Sequence, residues 1–353
     1  MDTPAAWASS RIVTPRLSVM VRTPLCLAPQ TGAIVASPAR HHGESGITLG
    51  SICSLNICCC IEYFISRFTA QMSHCPIAVL GEALVDEFHD GPVAGGAPFN
   101  VARSLAALGV PALFISRIGA DDAHGRLVLQ SARRYGLAGL GLQRDAAHAT
   151  GRVGVHERPG GGHSFEIHGD AAWDHLDAGP AGAALADAGA AVLYFGSLAQ
   201  RHPVSRAAIR ALVKPFAGLR LLDLNLRPGT DTPVLAAESL MLADWVKVND
   251  GELARLAGWF ADPAGAEAAQ VAALMERFAL QRLVLTCGAA GWRFYGPRGA
   301  LLAQGPGEPQ PRLVDTVGAG DAFTALLLAG LAQRRELPTT LALANRYAAF
   351  VCG

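Results

Sequence analysis

The sequence predicts an α/β fold in which a mostly parallel sheet is covered by helices on both faces. Short Val/Leu/Ile-rich runs recur at residues 77–81, 191–196, 219–225, 245–249 and 282–286, each ending in small or polar residues. Ala-rich segments with helical spacing, such as 203–214 and 263–278, lie between them. The runs are apolar at consecutive positions rather than at every second one. A strand buried on both faces has that pattern, and parallel sheets in α/β proteins are built of such strands. Ligands of open sheets of this kind bind beyond the carboxyl ends of the strands, where the polar motifs of this chain also fall.

The first 71 residues differ from the remainder. They hold seven of the twelve isoleucines and five of the eight cysteines (Cys26, Cys53, Cys58, Cys59 and Cys60). The run Cys58-Cys59-Cys60 lacks the spacing and the second ligand pair of a metal site. Residues 47–65 are apolar but contain Asn56 and Glu62, and they lie too far from Met1 for a simple signal peptide. Residues 1–71 are therefore expected to be a leader outside the domain, which would start at Met72 and run to residue 353. Within that domain, residues 152–157 and 163–168 alternate and are separated by Gly160, Gly161 and Gly162. They predict an antiparallel hairpin in a small β lid.

Composition narrows the function. Lys+Arg and Asp+Glu both number 29, so the chain has no electrostatic footprint for nucleic acid or an anionic membrane. The cysteines after the leader, Cys75, Cys287 and Cys352, are scattered, which fits a reducing cytoplasm. The basic residues are almost all arginine, with Lys214 and Lys247 the two lysines, a bias read as that of a GC-rich genome.

The stretch from Val314 to Phe323, Val-Asp-Thr-Val-Gly-Ala-Gly-Asp-Ala-Phe, carries the chemistry. Gly318, Ala319 and Gly320 form a small-residue turn just before an apolar helix at 322–331. Such a turn aims backbone N–H groups at one spot, and the helix dipole adds to them, which makes an anion hole for a phosphoryl group. Asp321 stands at the helix start as a candidate base. Local physics alone is equally consistent with a plain turn and an N-capping aspartate. The Lys-Ser/Thr ending of a Walker A loop is absent, and no Gly-x-Gly-x-x-Gly opens a helix after the first strand, which disfavours a dinucleotide oxidoreductase.

Asp-Thr-x-Gly-Ala-Gly-Asp-x-Phe resembles the C-terminal motif of the ribokinase-like (PfkB) carbohydrate kinases. Further similar motifs follow in order: Gly81-Glu-Ala-Leu-Val-Asp86, Gly95-Gly-Ala-Pro-Phe-Asn-Val-Ala102, Asp223-Leu-Asn-Leu-Arg227, Asn249-Asp-Gly-Glu252 and Thr286-Cys-Gly-Ala-Ala-Gly291. The resemblance implies a three-layer αβα sandwich with a β lid and ATP-dependent phosphorylation of a sugar hydroxyl. It implies that Asp321 is the base and the Gly318–Gly320 turn the anion hole. Asp86, Asn100, Gly95 and Gly96 would bind the sugar, with Asp86 on the first strand. The capping readings of Asn100 and of the Asn249/Glu252 pair stay open beside these roles. Asn249, Thr286, Gly288 and Gly291 would contact the nucleotide, and Asn249 and Glu252 would position Mg²⁺, largely through water. Asp315 and the carbonyl of Val317 would bind a monovalent cation such as K⁺.

Ala97-Pro98 is most similar to fructokinases, since ribokinases carry Lys-Gly there, and Leu84 replaces an amide that ribokinases often have. Fructose is therefore the expected sugar, with ribose, aminoimidazole riboside and 2-keto-3-deoxygluconate as alternatives. Phe165, Glu166 or His168 could touch the sugar or could equally face solvent. The expected partners are sugar and ATP, with a homodimer through the lid. The family normally extends beyond the position of Val351-Cys-Gly353, so a C-terminally incomplete, catalytically weak sugar-binding protein is the other functional class expected.

Overall fold

A computed structural model describes residues 76–157, 163–227, 229, 231–309 and 317–352, all within one compact unit. Along the chain the elements are β1 (Ile77–Leu80), β2 (Leu84–Phe88), β3 (Gly91–Gly95), α1 (Ala97–Ala107), β4 (Ala112–Gly119), α2 (Ala123–Arg134), β5 (Leu142–Asp145), β6 (Gly151–Glu157) and β7 (His163–Ile167). There follow α3 (Ala178–Ala188), β8 (Val192–Gly196), α4 (Pro203–Val213), β9 (Leu219–Asp223), α5 (Pro233–Leu240), β10 (Trp245–Asn249), α6 (Asp250–Phe260), α7 (Glu267–Arg277) and β11 (Arg282–Thr286). The chain closes with β12 (Trp292–Tyr295), β13 (Leu301–Gly305), α8 (Ala319–Ala332) and α9 (Leu337–Val351).

Nine of the described strands form one sheet, ordered β13-β12-β11-β10-β9-β8-β1-β4-β5. All its pairs are parallel except β11 with β12 and β12 with β13. Period-two packing sorts the strand residues between two cores. Ile77 and Val79 face α1, α2, α8 and α9, together with Tyr194, Leu221 and Val284. Ala78 and Leu80 face α3 to α7, together with Leu193, Phe195, Leu222 and Val246. That is the three-layer αβα arrangement, and it explains why the strands read as unbroken apolar runs.

The strand order reverses beside β1. From β1 the chain steps outward through β4 to β5, then returns to the other flank through β8 and continues to β11. Loops leaving β1 and β8 must part there, and a crevice opens at their carboxyl ends. The second sheet, β3-β2-β6-β7, is the lid, inserted by two excursions from this part of the chain. The hairpin expected at 152–168 is its outer half, β6 and β7.

Three expectations are corrected. Asp86 is not on the first strand of the main sheet, because β1 stops at Leu80 and Asp86 lies in lid strand β2, paired with Val93. The run expected to reach Asn225 ends as a strand at Asp223, and Asn225 turns into the left-handed region at φ 42°. The helix expected from Pro263 begins at Glu267, since residues 262–265 form a turn in which Asp262 accepts from the Ala264 amide. Strands β3, β4, β5, β12 and β13 were not anticipated. Among the described residues no helix is long and apolar enough to cross a membrane.

Candidate active site

Helix α8 begins at Gly318, whose φ of 82° suits glycine and turns the chain into the helix without a side-chain cap. The first amides of α8 are therefore left for a ligand. Asp321 lies in the first turn, inside the helix, and is not its N-cap. This removes the reading of Asp321 as a capping residue. Its Oδ2 accepts instead from Asn100 Nδ2 at 2.8 Å, across 221 positions of sequence. Asn100 is not a cap either. It sits in the first turn of α1, which is capped by Gly96. The hydrogen bond thus joins the two glycine-rich helix starts, and Asn100 Oδ1 is left buried without a partner.

The lid brings Asp86 to the same place. A Cβ on Gly95 would stand 2.2 Å from Asp86 Oδ2, so only glycine lets β3 pass the carboxylate at this separation. Gly96, at φ 103°, would clash through its Cβ with the Glu82 carbonyl at 2.8 Å. Glu82 itself, 2% exposed with Oε2 unpaired, was not singled out from the sequence. Burial raises its pKa to about 7, opposed by Arg227 and reinforced by Asp321. Burial likewise raises Asp86 to about 6, with Arg103 opposing and Asp321 reinforcing. Asp321 is raised to about 6 by burial, against the Asn100 hydrogen bond. Three carboxyl groups thus share one poorly hydrated cleft, and Arg227 at the carboxyl side of β9 opposes the rise in each.

Beneath the α8 turn lies a buried ionic network. Lys247 Nζ, on β10, donates to both oxygens of Asp223 at 3.0 and 2.9 Å. Thr324 Oγ1 on α8 donates to Asp223 Oδ2 at 2.8 Å. A Cβ on Gly320 would meet Lys247 Nζ at 3.6 Å, so the ammonium sits directly under the turn. Burial lowers the Lys247 pKa, yet Asp223 and Glu252 outweigh it and the net shift is upward. The signal in the sequence was that one of two lysines falls in mid-strand among valines.

Asn249 and Glu252 form a reciprocal capping box at the start of α6. Glu252 Oε2 accepts from the Asn249 amide at 2.9 Å, and Oε1 from the Leu226 amide at 2.8 Å. Both carboxylate oxygens are engaged, so this donor set fits a metal held through water and not one bound to Glu252 directly. Burial raises the Glu252 pKa, with Asp223 reinforcing it. Thr286 pairs with Asn249 across β10 and β11. Gly288 and Gly291 make the tight turn that follows, with the Gly291 amide donating to the Gly288 carbonyl at 3.0 Å. Val317 is described and half-exposed at the α8 turn, whereas Asp315, like the leader of residues 1–71, lies outside the described residues. On the lid, Glu166 is exposed and lies 3.6 Å from His156, so it faces outward.

The family model of the pfkB family carbohydrate kinases matches residues 72–353. The chain belongs to this family. It is 33% identical over 288 residues to the fructokinase of Klebsiella pneumoniae, covering 75% of this chain and 87% of that one. A crystal structure of an uncharacterised sugar kinase from Pyrococcus horikoshii in complex with ATP aligns at a TM-score of 0.63 and 25% identity, covering 77% of this chain and 91% of that one. A fructokinase double mutant of Vibrio cholerae O395, solved with fructose, ADP and potassium, shares the fold at a TM-score of 0.63 and 24% identity, with 79% and 91% covered. The fold is ribokinase-like, with the smaller sheet as its lid, and the enzyme is a sugar kinase. The ATP complex among its structural neighbours supports use of ATP.

Two tests follow from the buried charges. The Glu82 pKa rises from 4.5 to about 7 on folding. Its contribution to stability is full below the ordinary value and is lost as pH rises through the folded one. Glu82→Gln should therefore raise Tm at about pH 8, with the gain closing by about pH 5 in thermal melts. A pH-independent difference would show that Glu82 does not titrate in the fold. Lys247→Met, by stranding Asp223, should cost about 3–5 kcal/mol in urea unfolding. A change within a few tenths would mean the network is not needed.

Proposed function

We propose that the chain phosphorylates fructose to fructose 6-phosphate from ATP, with Asp321 as general base. The observation that carries the reading is the Asn100–Asp321 hydrogen bond, which joins the sugar-side and phosphate-side motifs at 2.8 Å. Asp86 and Asn100 supply hydroxyl partners under the lid. Asn100 Oδ1, buried and unpaired, is an acceptor for a sugar hydroxyl. Asp321 then takes the proton of the attacking hydroxyl as the bond to phosphorus forms.

The free amides of Gly318 to Gly320 stabilise charge growing on the transferred phosphoryl group. Lys247, directly under them, adds positive field without contacting substrate. Phosphoryl transfer asks mostly for alignment and charge neutralisation, and this arrangement offers both. Asn249 and Glu252 would hold Mg²⁺ through water, where it supplies further neutralisation of the nucleotide phosphates. Thr286, Gly288 and Gly291 line the nucleotide side. Val317, with Asp315, would serve K⁺. Among the described residues Cys287 is a free thiol, which fits a cytoplasmic enzyme.

Fructose is favoured by Ala97-Pro98 and Leu84. Pro98 packs where a Cβ on Gly81 would meet it at 2.4 Å, and Leu84 is buried beside Gly95. The pocket wall here is apolar, whereas a ribokinase would place an amide. The Klebsiella pneumoniae relative, a fructokinase, supports this choice.

Asp321→Asn should lower kcat by about 10²–10⁴-fold with sugar affinity little changed, measured by coupled ADP release and by calorimetric titration of fructose. Near-wild-type kcat would remove Asp321 from the mechanism. In a substrate panel, fructose should exceed ribose, aminoimidazole riboside and 2-keto-3-deoxygluconate in kcat/KM. A clear preference for any of these would reject fructose, and absence of sugar-dependent turnover with every member would favour the sugar-binding reading.

A further inference from the structure

At the root of the lid, away from Asp321, three histidines and an aspartate converge. His148 lies between β5 and β6, where the chain enters the lid. Asp170 follows β7, where the chain leaves it. His175 comes from the short turn after Asp170, and His202 caps α4. One ligand atom each from His148, Asp170 and His175 lie within 4.8 Å of one another. The His148 and His175 rings stack at 3.6 Å, and His202 tilts against His175 at 4.7 Å. His175 Nε2 stands 2.8 Å from Asp170 Oδ1.

A feature outside the cluster orients it. His148 Nδ1 faces Asp145 Oδ2 at 3.1 Å. Asp145 is buried and paired with Arg117 at 2.7 Å. A fixed carboxylate on Nδ1 selects the tautomer that leaves Nε2 with a free lone pair. Ligating histidines are commonly backed in this way. Asp145 is paired with Arg117, and Asp170 brings a second carboxylate to the cluster. Asp170 lines an open hollow of about 420 Å³, so ions reach it from solvent.

We propose that His148, Asp170 and His175 bind a divalent transition ion of the Zn²⁺ class at the lid root. Two imidazoles and one carboxylate suit Zn²⁺, Co²⁺ or Ni²⁺, whereas Mg²⁺ prefers an all-oxygen shell. Three protein ligands leave a position for water. The rings lie in parallel planes, so closure on the ion turns one imidazole about its side-chain torsions until the lone pairs converge. The ion would tie both legs of the lid to the body. This site is independent of the fructose assignment.

The test is equilibrium dialysis and visible spectroscopy of the EDTA-treated full chain with Co²⁺, without nucleotide. The expected result is about one equivalent bound, with d–d bands lacking thiolate charge transfer, which separates it from any ion on Cys53 to Cys60. Zn²⁺ should displace it and raise Tm. His175→Ala and the milder Asp170→Asn, both checked for folding by circular dichroism, should each weaken binding by at least about tenfold, while Asp321→Asn should not. No bound equivalent, bands dominated by thiolate, or unchanged affinity in a folded His175→Ala or Asp170→Asn variant would overturn the proposal.

Discussion

The buried contact of Lys247 with Asp223 and Thr324 is the interaction on which the site rests. It joins β9, β10 and α8 beneath the glycine turn. Taking an ammonium and a carboxylate out of water is costly, and a well-packed apolar trio would hold the layers at least as well. Cohesion therefore does not explain the network. Its position does: the ammonium lies against Gly320, where the α8 amides are unsatisfied. Thr324 Oγ1 also lies 2.9 Å from the Gly320 carbonyl, an alternative acceptor for its one hydroxyl proton, which keeps the helix start over the pair. On the proposed reading the turn receives anions repeatedly, and a buried lysine gives it a positive support that cannot leave.

The sheet decides where that support faces. Because the order reverses beside β1, the crevice at the carboxyl ends of β1 and β8 is the place where α1 and α8 can bring their first turns together. The lid then folds over it from two insertions, delivering Asp86 from β2 against Gly95 of the neighbouring lid strand β3. The Asp86–Gly95 contact is made within a hairpin, but the one between α1 and α8 is not local. Asn100 and Asp321 meet only because α1 and α8 pack on the same face of the sheet.

Much of this was legible in the sequence, for physical reasons. Strands β1, β8, β9, β10 and β11 are buried on both faces, so their apolar runs are continuous and readable. The turn at Gly318 and the capping spacing of Asn249 and Glu252 are also local patterns. Strand β13 was missed because it ends the sheet, where the pattern weakens: Leu301 and Leu302 are about half exposed. Asp86 was placed on the wrong strand because a kink at Gly81 to Ala83 splits one apolar run between two sheets. Glu82 and Lys247 escaped notice because their significance is tertiary. A charged residue within an apolar run cannot be told from an edge position until its neighbours are known. The cluster of His148, Asp170 and His175 is likewise assembled by the lid legs, and its spacing matches no metal motif.

The same burial that hides these groups tunes them. A carboxylate at its ordinary pKa is a weak base, while one brought near 6 remains mostly ionised at neutrality and accepts a proton more readily. Asp321 gains this from burial, and Asn100 limits the rise by donating to it. Without that hydrogen bond the carboxyl group would move further toward its neutral form, which cannot accept the proton. Asn100 therefore has two consequences from one amide: its Nδ2 keeps the proposed base charged, and its Oδ1, buried without a partner, is left for the proposed substrate. On the proposed reading a single side chain spans both tasks, so the sugar's position and the ionisation of the base would be coupled. A hydroxyl bound to Asn100 is thereby placed beside a carboxylate already poised to take its proton.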